Sequence, residues 1–261
     1  MTEKQTFWDH LDELRSCLVK IVVATVLLGV VAFFFKDELF TVILAPKYDD
    51  FVTYRLFESI AARFSVPMDG LDFQVSLINT ELAQQFIVHV KMAMFCAFLL
   101  VSPYALYQLF RFVSPALYSN ERKYVVRVVG GGYVMFLMGV ALSYFLIFPL
   151  TFRFLGTYQV SAEVQNFISL SSYIDTLMVL CFLLGIVFEI PILCWLFAKL
   201  GFLTAEFMRR YRKHAIVIVL IVAAVITPTS DAFTLLLVSG PIYLLYEVSV
   251  LIVAHTEKNS E

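Results

Sequence analysis

An almost uninterrupted apolar stretch reads YIDTLMVLCFLLGIVFEIPILCWLF at residues 173–197. A membrane-spanning helix needs about 20 such residues, so this stretch is long enough to cross a bilayer. Glu189 lies deep inside it, and Pro191 follows two positions later. Because an ionised side chain in hydrocarbon costs several kcal/mol, Glu189 is a candidate functional residue. The stretch indicates an integral membrane protein. Its few polar residues within apolar segments are the candidates for its functional site.

Five further apolar segments accompany this stretch, in a chain that is 61% hydrophobic and only 15% charged. They lie at residues 18–35, 86–113, 124–150, 215–228 and 232–254. The segment 215–228 is the shortest, about 21 Å of helix, and such a run is also typical of a re-entrant or buried helix. We predict an all-α membrane protein with six transmembrane helices, the last two short and joined by the turn Pro228-Thr229-Ser230-Asp231.

The lysines and arginines near the segment ends predict the orientation of the chain. With the N-terminus in the cytoplasm, thirteen of them fall on inside flanks and five on outside flanks, and Lys91 is left over inside the second segment. This bias favours a single membrane domain, 1–261, with both termini inside. Residues 1–17 are then a cytoplasmic amphipathic segment. Residues 36–85, with short helices, and 151–172 become two periplasmic loops.

Several function classes lack their sequence signatures here. The chain has no GxxxxGK[ST] phosphate loop, no HExxH and no serine-nucleophile elbow, which argues against an ATP-driven pump and a membrane metalloprotease. Its four cysteines show no CxxC spacing, and we expect no metal site, no cofactor and no catalytic centre. A net charge of −2 argues against the basic patch that a nucleic-acid partner needs.

Five short patterns follow one another along the predicted spans. They are His10-Leu11-Asp12-Glu13-Leu14-Arg15 before span one, Ser114-Pro115-Ala116-Leu117-Tyr118 with Glu121-Arg122 after span two, Phe188-Glu189-Ile190-Pro191 in span four, Ile226-Thr227-Pro228 with Asp231 at the last turn, and Pro241 with Leu245-Tyr246-Glu247 in span six. In order and placement they resemble the TatC family, the large polytopic subunit of the twin-arginine protein translocase. The resemblance covers essentially the whole chain, and it implies a concave, glove-like arrangement of six helices in the cytoplasmic (inner) membrane.

The resemblance also implies a binding site for signal peptides that carry two consecutive arginines. The matching acidic residues are Glu13 and Glu121, at the cytoplasmic face. The chemistry suits the task, because a carboxylate accepts a planar, always charged guanidinium through paired hydrogen bonds. We include Arg15 and Arg122 in the predicted site, Arg15 as a residue that organises Glu13. Without the resemblance, these charges are interpreted as ordinary surface groups.

Three intramembrane polar residues, Glu189, Thr227 and Glu247, are predicted to contact partner proteins. The resemblance implies single-span TatA-like and TatB-like partners, an oligomeric complex surrounded by lipid, and export of folded proteins driven by the proton motive force. The alternative is a proton-coupled small-molecule or ion transporter with Glu189 and Glu247 as a carboxylate relay. Transporters usually contain inverted repeats with paired broken helices, whereas this sequence shows no internal repeat.

Overall fold

The protein is mostly helical, as the apolar pattern predicts. The computed structural model describes residues 7–63, 76–113, 125–161, 163, 166–227 and 231–258. Its helices are α1 (Phe7–Phe33), α2 (Lys36–Leu44), α3 (Val52–Arg63), α4 (Gln84–Val113), α5 (Val125–Leu142), α6 (Phe148–Thr157), α7 (Leu170–Val187), α8 (Ile190–Lys199), α9 (Ala205–Arg210), α10 (Arg212–Ile226) and α11 (Ala232–Lys258). A π-helical segment, Ser143–Ile147, joins α5 to α6, and two-residue strands, β1 (Leu77–Ile78) and β2 (Ile168–Ser169), pair in parallel.

Five stretches among the described residues are long and apolar enough to cross a membrane. They are Leu11–Phe33, Gln84–Phe112, Val128–Thr157, Leu170–Lys199 and Ala232–Lys258. Each coincides with one of the six predicted segments, so the multi-pass membrane character is confirmed. The remaining predicted segment, 215–228, corresponds to α10, which has 15 residues, or about 22 Å of helix, and is not among the five. The six-span count therefore stays a prediction.

The first helix has different limits from those that the sequence suggested. We expected an amphipathic segment within 1–17 and a separate span over 18–35, but α1 is one helix from Phe7 to Phe33. No proline interrupts it, and its only glycine is Gly29, near its end. Nothing in the covalent chain therefore breaks the backbone hydrogen bonds at the predicted boundary.

One further expectation about lengths was wrong. α11 has 27 residues, so the last helix is long and only α10 is short. Its polar end continues as helix to Lys258, where the Glu257 carboxylate accepts a hydrogen bond from the backbone N–H of Ala205 at 3.1 Å. Helical structure also reaches into the predicted periplasmic loop 151–172 from both ends, because α6 continues to Thr157 and α7 begins at Leu170.

Contacts divide the chain into two compact units, residues 1–39 with 89–134 and residues 40–88 with 135–261. In the first unit, the ring of Phe33 stacks on the imidazole of His89 with centroids 4.0 Å apart. This contact joins the end of α1 to the start of α4.

In the second unit, α5 and α7 touch backbone to backbone. A Cβ on Gly139 would lie 2.6 Å from the Leu184 carbonyl oxygen and 2.9 Å from the Cα of Gly185. Glycine is needed at this crossing because any side chain would force the helices apart. Gly130, the first residue of the Gly130–Gly132 run in α5, differs from Gly139, because a Cβ there would meet nothing within 4 Å.

The segment 36–63 is held against α6 by side-chain hydroxyls. Pro149 has no N–H, so the carbonyl of Phe145 lacks the helical donor four residues ahead. The Thr53 hydroxyl donates a hydrogen bond to that carbonyl. The buried Tyr54 hydroxyl lies 3.0 Å from the Pro149 carbonyl and 3.1 Å from that of Pro46. Burial raises the pKa of the Tyr54 phenol well above its usual value, so the hydroxyl stays a donor.

Candidate functional site

Glu13 lies in the first turns of α1, where the sequence predicts signal-peptide recognition. Its side chain is half-buried, and its Oε2 atom is buried with no hydrogen-bond partner among the described residues. Arg15, two positions later, is exposed to solvent. The other predicted members of this site, Glu121 and Arg122, lie outside the described residues. What the structure provides here is one carboxylate oxygen that has no partner in the described part of the chain.

Glu189 lies where the fourth predicted span is interrupted. α7 ends at Val187, α8 begins at Ile190, and Phe188 and Glu189 form the turn between them. Pro191 has no N–H to donate to the Val187 carbonyl, which explains the interruption. The Glu189 carbonyl accepts the next backbone N–H groups, at 3.1 Å from Ile192 and 3.0 Å from Leu193. The Glu189 carboxylate therefore lies at the break between α7 and α8.

The Glu189 side chain is buried without a matching donor. It is only 9% exposed, and its Oε1 atom has no hydrogen-bond partner in the described part of the chain. Leaving a buried carboxyl oxygen unsatisfied costs several kcal/mol if the group is charged. Such an arrangement is typical of a group that is protonated or that receives its partner from another molecule.

Glu247, the second intramembrane acid, has partners within the chain. Its Oε2 atom lies 2.6 Å from Nη2 of Arg212, the first residue of α10, and its Oε1 atom accepts a hydrogen bond from the Tyr243 hydroxyl at 3.0 Å. Both oxygens are therefore occupied, and neither of these bonds links Glu247 to Glu189. The ion pair ties the start of α10 to the middle of α11.

Thr227 directly follows the last residue of α10 and is also buried. It is 7% exposed, and its hydroxyl is 3.5 Å from the Ala224 carbonyl oxygen. Asp231 lies beyond the turn, and its Oδ1 atom accepts a hydrogen bond from the backbone N–H of Thr234 at 2.7 Å. Asp231 therefore acts as an N-cap of α11, which gives it a structural role at the hairpin.

Residues 9–241 match the family described as Sec-independent protein translocase protein (TatC). The chain belongs to the TatC family. Among its relatives, the TatC protein of Blattabacterium sp. is 32% identical over 256 residues, covering 97% of this chain and 96% of that one. The Aquifex aeolicus TatC protein is 30% identical over 243 residues, covering 93% and 92%. A crystal structure of the twin-arginine translocase receptor TatC superposes with a TM-score of 0.72 at 30% identity, covering 94% of this chain and 97% of that one.

Membership of the TatC family confirms the resemblance predicted from the five patterns, and with it a role in Sec-independent protein transport. It agrees with the multi-pass membrane architecture and disfavours the small-molecule transporter. The residue roles suggested by the resemblance to TatC proteins remain predictions.

Sequence reasoning about this TatC-family chain missed two residues of its polar network. Arg212 had been counted only as a positively charged flank of α10, and Tyr243 had been assigned no role. The i, i+4 spacing of Tyr243 and Glu247 was a usable signal, because such residues share one helix face. The pairing with Arg212 had no such signal, since it joins residues 35 positions apart.

Proposed function

We propose that this chain is the twin-arginine signal-peptide receptor and core scaffold of a Tat translocase in the cytoplasmic membrane. The observation that carries the proposal is the Glu13 carboxylate, which has a buried oxygen without a partner among the described residues. A group of this kind is suited to a ligand that brings its own donors. The family assignment supports the same conclusion, because the protein of known structure is called a twin-arginine translocase receptor.

The chemistry of the signal explains why an acidic pair is needed. Each guanidinium presents several N–H donors in a fixed fork, and lysine cannot reproduce that geometry. Two consecutive arginines need at least two carboxylates, and we assign these to Glu13 and Glu121. Arg15 orients Glu13, and Arg122 lies beside Glu121 in sequence. One hydrogen bond to a charged group contributes about 1.5–3 kcal/mol, so loss of either carboxylate should weaken binding at least about tenfold.

The test is photo-cross-linking of membranes that contain Glu13→Gln, Glu121→Gln or the double variant to a signal peptide carrying either RR or KK. The matched control is Asp12→Asn, because Asp12 is an exposed carboxylate one position from Glu13. We expect the RR peptide to cross-link to the wild type and the control but not to either glutamine variant. Unchanged cross-linking in the double variant would refute the receptor role.

We further propose that the N- and C-termini lie in the cytoplasm, that α10 is a sixth, short span, and that the helices enclose a concave surface. The charge bias of thirteen against five supports this orientation. TatA-like and TatB-like single-span proteins would assemble on the scaffold, and the proton motive force would drive export of folded cargo.

Within this scaffold we assign Glu189 to a polar contact with a partner helix. Its buried, unmatched oxygen supports the assignment, because a donor from another chain would satisfy it. Thr227 and Glu247 were predicted to make similar contacts. The Glu247 carboxylate is paired with Arg212, so it serves partner binding by holding the α10–α11 hairpin in shape. The Thr227 hydroxyl bonds to Ala224 within α10, and its contact with a partner stays a proposal.

Two variants distinguish the partner contact from a proton relay. Glu189→Gln keeps the shape and hydrogen-bonding capacity of the side chain, whereas Glu189→Ala removes both. If Glu189 contacts a partner, the Gln variant should retain much of the transport and the Ala variant should lose it, with signal-peptide cross-linking intact in both. Equal loss of transport in the two variants, with partner co-purification unchanged, would favour the relay instead.

A further inference from the structure

The short helix α9 lies at the edge of the apolar part of the second unit. It begins shortly after the candidate span Leu170–Lys199 ends, and the apolar run of α10 starts only at Ala215. The backbone N–H of Tyr211 bonds to the Phe207 carbonyl at 3.1 Å, and that of Ala215 bonds to the Tyr211 carbonyl at 2.9 Å. Helical spacing therefore continues from α9 into α10, and α9 lies where hydrocarbon gives way to headgroups.

Contacts with α11 hold α9 in place. The buried side of α9 and two residues of α11 form one apolar cluster, made of Ala205, Met208, Val250 and Val253. In the last turn of α9, the Met208 carbonyl accepts a hydrogen bond from the Tyr246 hydroxyl at 2.6 Å. At its first residue, the backbone N–H of Ala205 donates to the Glu257 carboxylate at 3.1 Å. The outward side of α9 is therefore presented in a fixed orientation.

Aromatic and basic side chains lie next to one another on this outward side. Phe207 and Tyr211 are one turn apart and solvent-exposed, and their ring centroids are 4.6 Å apart. Arg209, Arg210 and Lys213 are also exposed, and the four-residue spacing of Arg209 and Lys213 places them on one side of the helix. We call these five residues the α9 surface. Exposed rings beside cations are typical of a segment at the level of lipid headgroups.

The α9 surface carries an excess of positive charge. Arg212 is not part of it, because its guanidinium lies 2.6 Å from the Glu247 carboxylate. The three cations of the α9 surface make no side-chain hydrogen bond or ion pair with another described residue. One carboxylate on the same helix, Glu206, opposes them, whereas Glu257 contacts the first residue of α9. Three cations against one carboxylate leave an excess of two positive charges.

The orientation of the chain in the membrane does not account for this arrangement. An excess of lysine and arginine on one side of a membrane requires only the charges themselves. It does not require that they lie beside paired aromatic rings, or that the helix carrying them is held at both ends. A fixed surface of this kind lowers the ordering cost of binding a ligand.

We propose that the α9 surface binds the headgroup of an anionic phospholipid in the adjoining leaflet. A phosphodiester accepts paired hydrogen bonds from a guanidinium and a further one from an ammonium, which Arg210 and Lys213 supply. Phe207 and Tyr211 pack against the glycerol and the upper acyl chains, as interfacial aromatic residues do. A zwitterionic lipid carries its own cation, so the excess charge selects a headgroup that is negative overall. None of these residues belongs to the predicted signal-peptide site, so lipid binding here is independent of the receptor role.

The test is photo-cross-linking of the full chain to lipid, with a benzophenone amino acid in place of Phe207. The protein is placed in nanodiscs of dioleoyl phosphatidylcholine that contain equal minor fractions of dioleoyl phosphatidylglycerol and dioleoyl phosphatidylethanolamine. Mass spectrometry of the adducts gives the ratio of the two minor lipids next to α9. Because the acyl chains are identical, the ratio reports on the headgroup alone.

Three variants separate a local site from diffuse charge. Arg210→Gln/Lys213→Gln removes two of the three cations. Its matched control is Lys20→Gln/Arg111→Gln, which removes one lysine and one arginine from exposed positions on α1 and α4. Glu206→Gln removes the opposing carboxylate. All of these side chains are exposed, and the melting temperature of each variant in detergent checks that it folds.

A basic residue near an anionic surface contributes about fivefold in affinity, so an excess of two charges predicts a preference for phosphatidylglycerol of about 25-fold in the wild type. The control should keep that preference, Arg210→Gln/Lys213→Gln should lose nearly all of it, and Glu206→Gln should raise it about fivefold. A preference that survives in Arg210→Gln/Lys213→Gln, an equal loss in the control, or no rise in Glu206→Gln would overturn the proposal. So would adducts formed mainly with a polypeptide when the same cross-linking is done in native membranes.

Discussion

Replacing Gly139 with alanine tests the crossing of α5 and α7, where a new side chain would meet backbone atoms. The new methyl carbon would lie 2.6 Å from the Leu184 carbonyl oxygen, and 2.9 Å from both the Gly185 Cα and the Phe188 ring. Two of these three neighbours are backbone atoms, which cannot rotate out of the way. The helices α5 and α7 must therefore separate, and the strain falls next to the Glu189 break.

The size of the effect follows from those distances. Ordinary van der Waals contacts of a Cβ begin near 3.4 Å, so the backbones must move apart by about 0.8 Å. Overpacking of this kind typically costs about 1–3 kcal/mol. Alanine in a helix recovers about 0.5–1 kcal/mol relative to glycine, so the net destabilisation should be about 1–2 kcal/mol. For a chain of this size that corresponds to a fall of about 2–8 °C in the melting temperature.

The assay is the temperature at which half of the purified protein in detergent ceases to be monodisperse. Gly130→Ala is the matched control, because it lies on the same helix, α5, and a Cβ there meets nothing within 4 Å. The control should be as stable as the wild type or slightly more so. Gly139→Val should be worse than Gly139→Ala, since its two γ-methyl groups enlarge the same clash.

Equal melting temperatures for Gly139→Ala and Gly130→Ala would refute this reasoning. So would a Gly139→Val variant that is as stable as Gly139→Ala, since the cost would then not grow with side-chain size.

Three further outcomes are expected. Tyr54→Phe should lower the free energy of unfolding by about 1–2 kcal/mol, measured by the same melting assay, because two buried carbonyls lose their donor. Arg212→Glu and Glu247→Arg should each destabilise the protein by about 1 kcal/mol while the double exchange restores it; no recovery in the double variant would show that the ion pair contributes nothing. In a cysteine-free background, Arg210→Cys and Asp231→Cys should react with impermeant reagents from opposite sides of the membrane. Labelling of both from one side would show that α10 does not cross.

Hydropathy determined much of this fold without reference to tertiary contacts. Each apolar block must satisfy its backbone groups internally in hydrocarbon, so helices were expected wherever the blocks occur, and five of them form helices long and apolar enough to cross a membrane. The kink near Glu189 was also predictable, because Pro191 removes a backbone donor whatever lies around it. The helix ends depended more on tertiary contacts. α11 continues as helix to Lys258, and near that end Glu257 accepts a hydrogen bond from the backbone N–H of Ala205, the first residue of α9.

The contacts that shape the candidate site were decided by tertiary structure alone. Arg212 and Glu247 are 35 residues apart, and the sequence offered several basic residues near the start of α10. The Gly130–Gly132 run is more conspicuous in the sequence than Gly139, yet Gly139 is the residue where backbones touch. The sequence shows which residues are polar or small. Only the folded chain shows which of them face one another, because that depends on how helices distant along the chain cross and rotate.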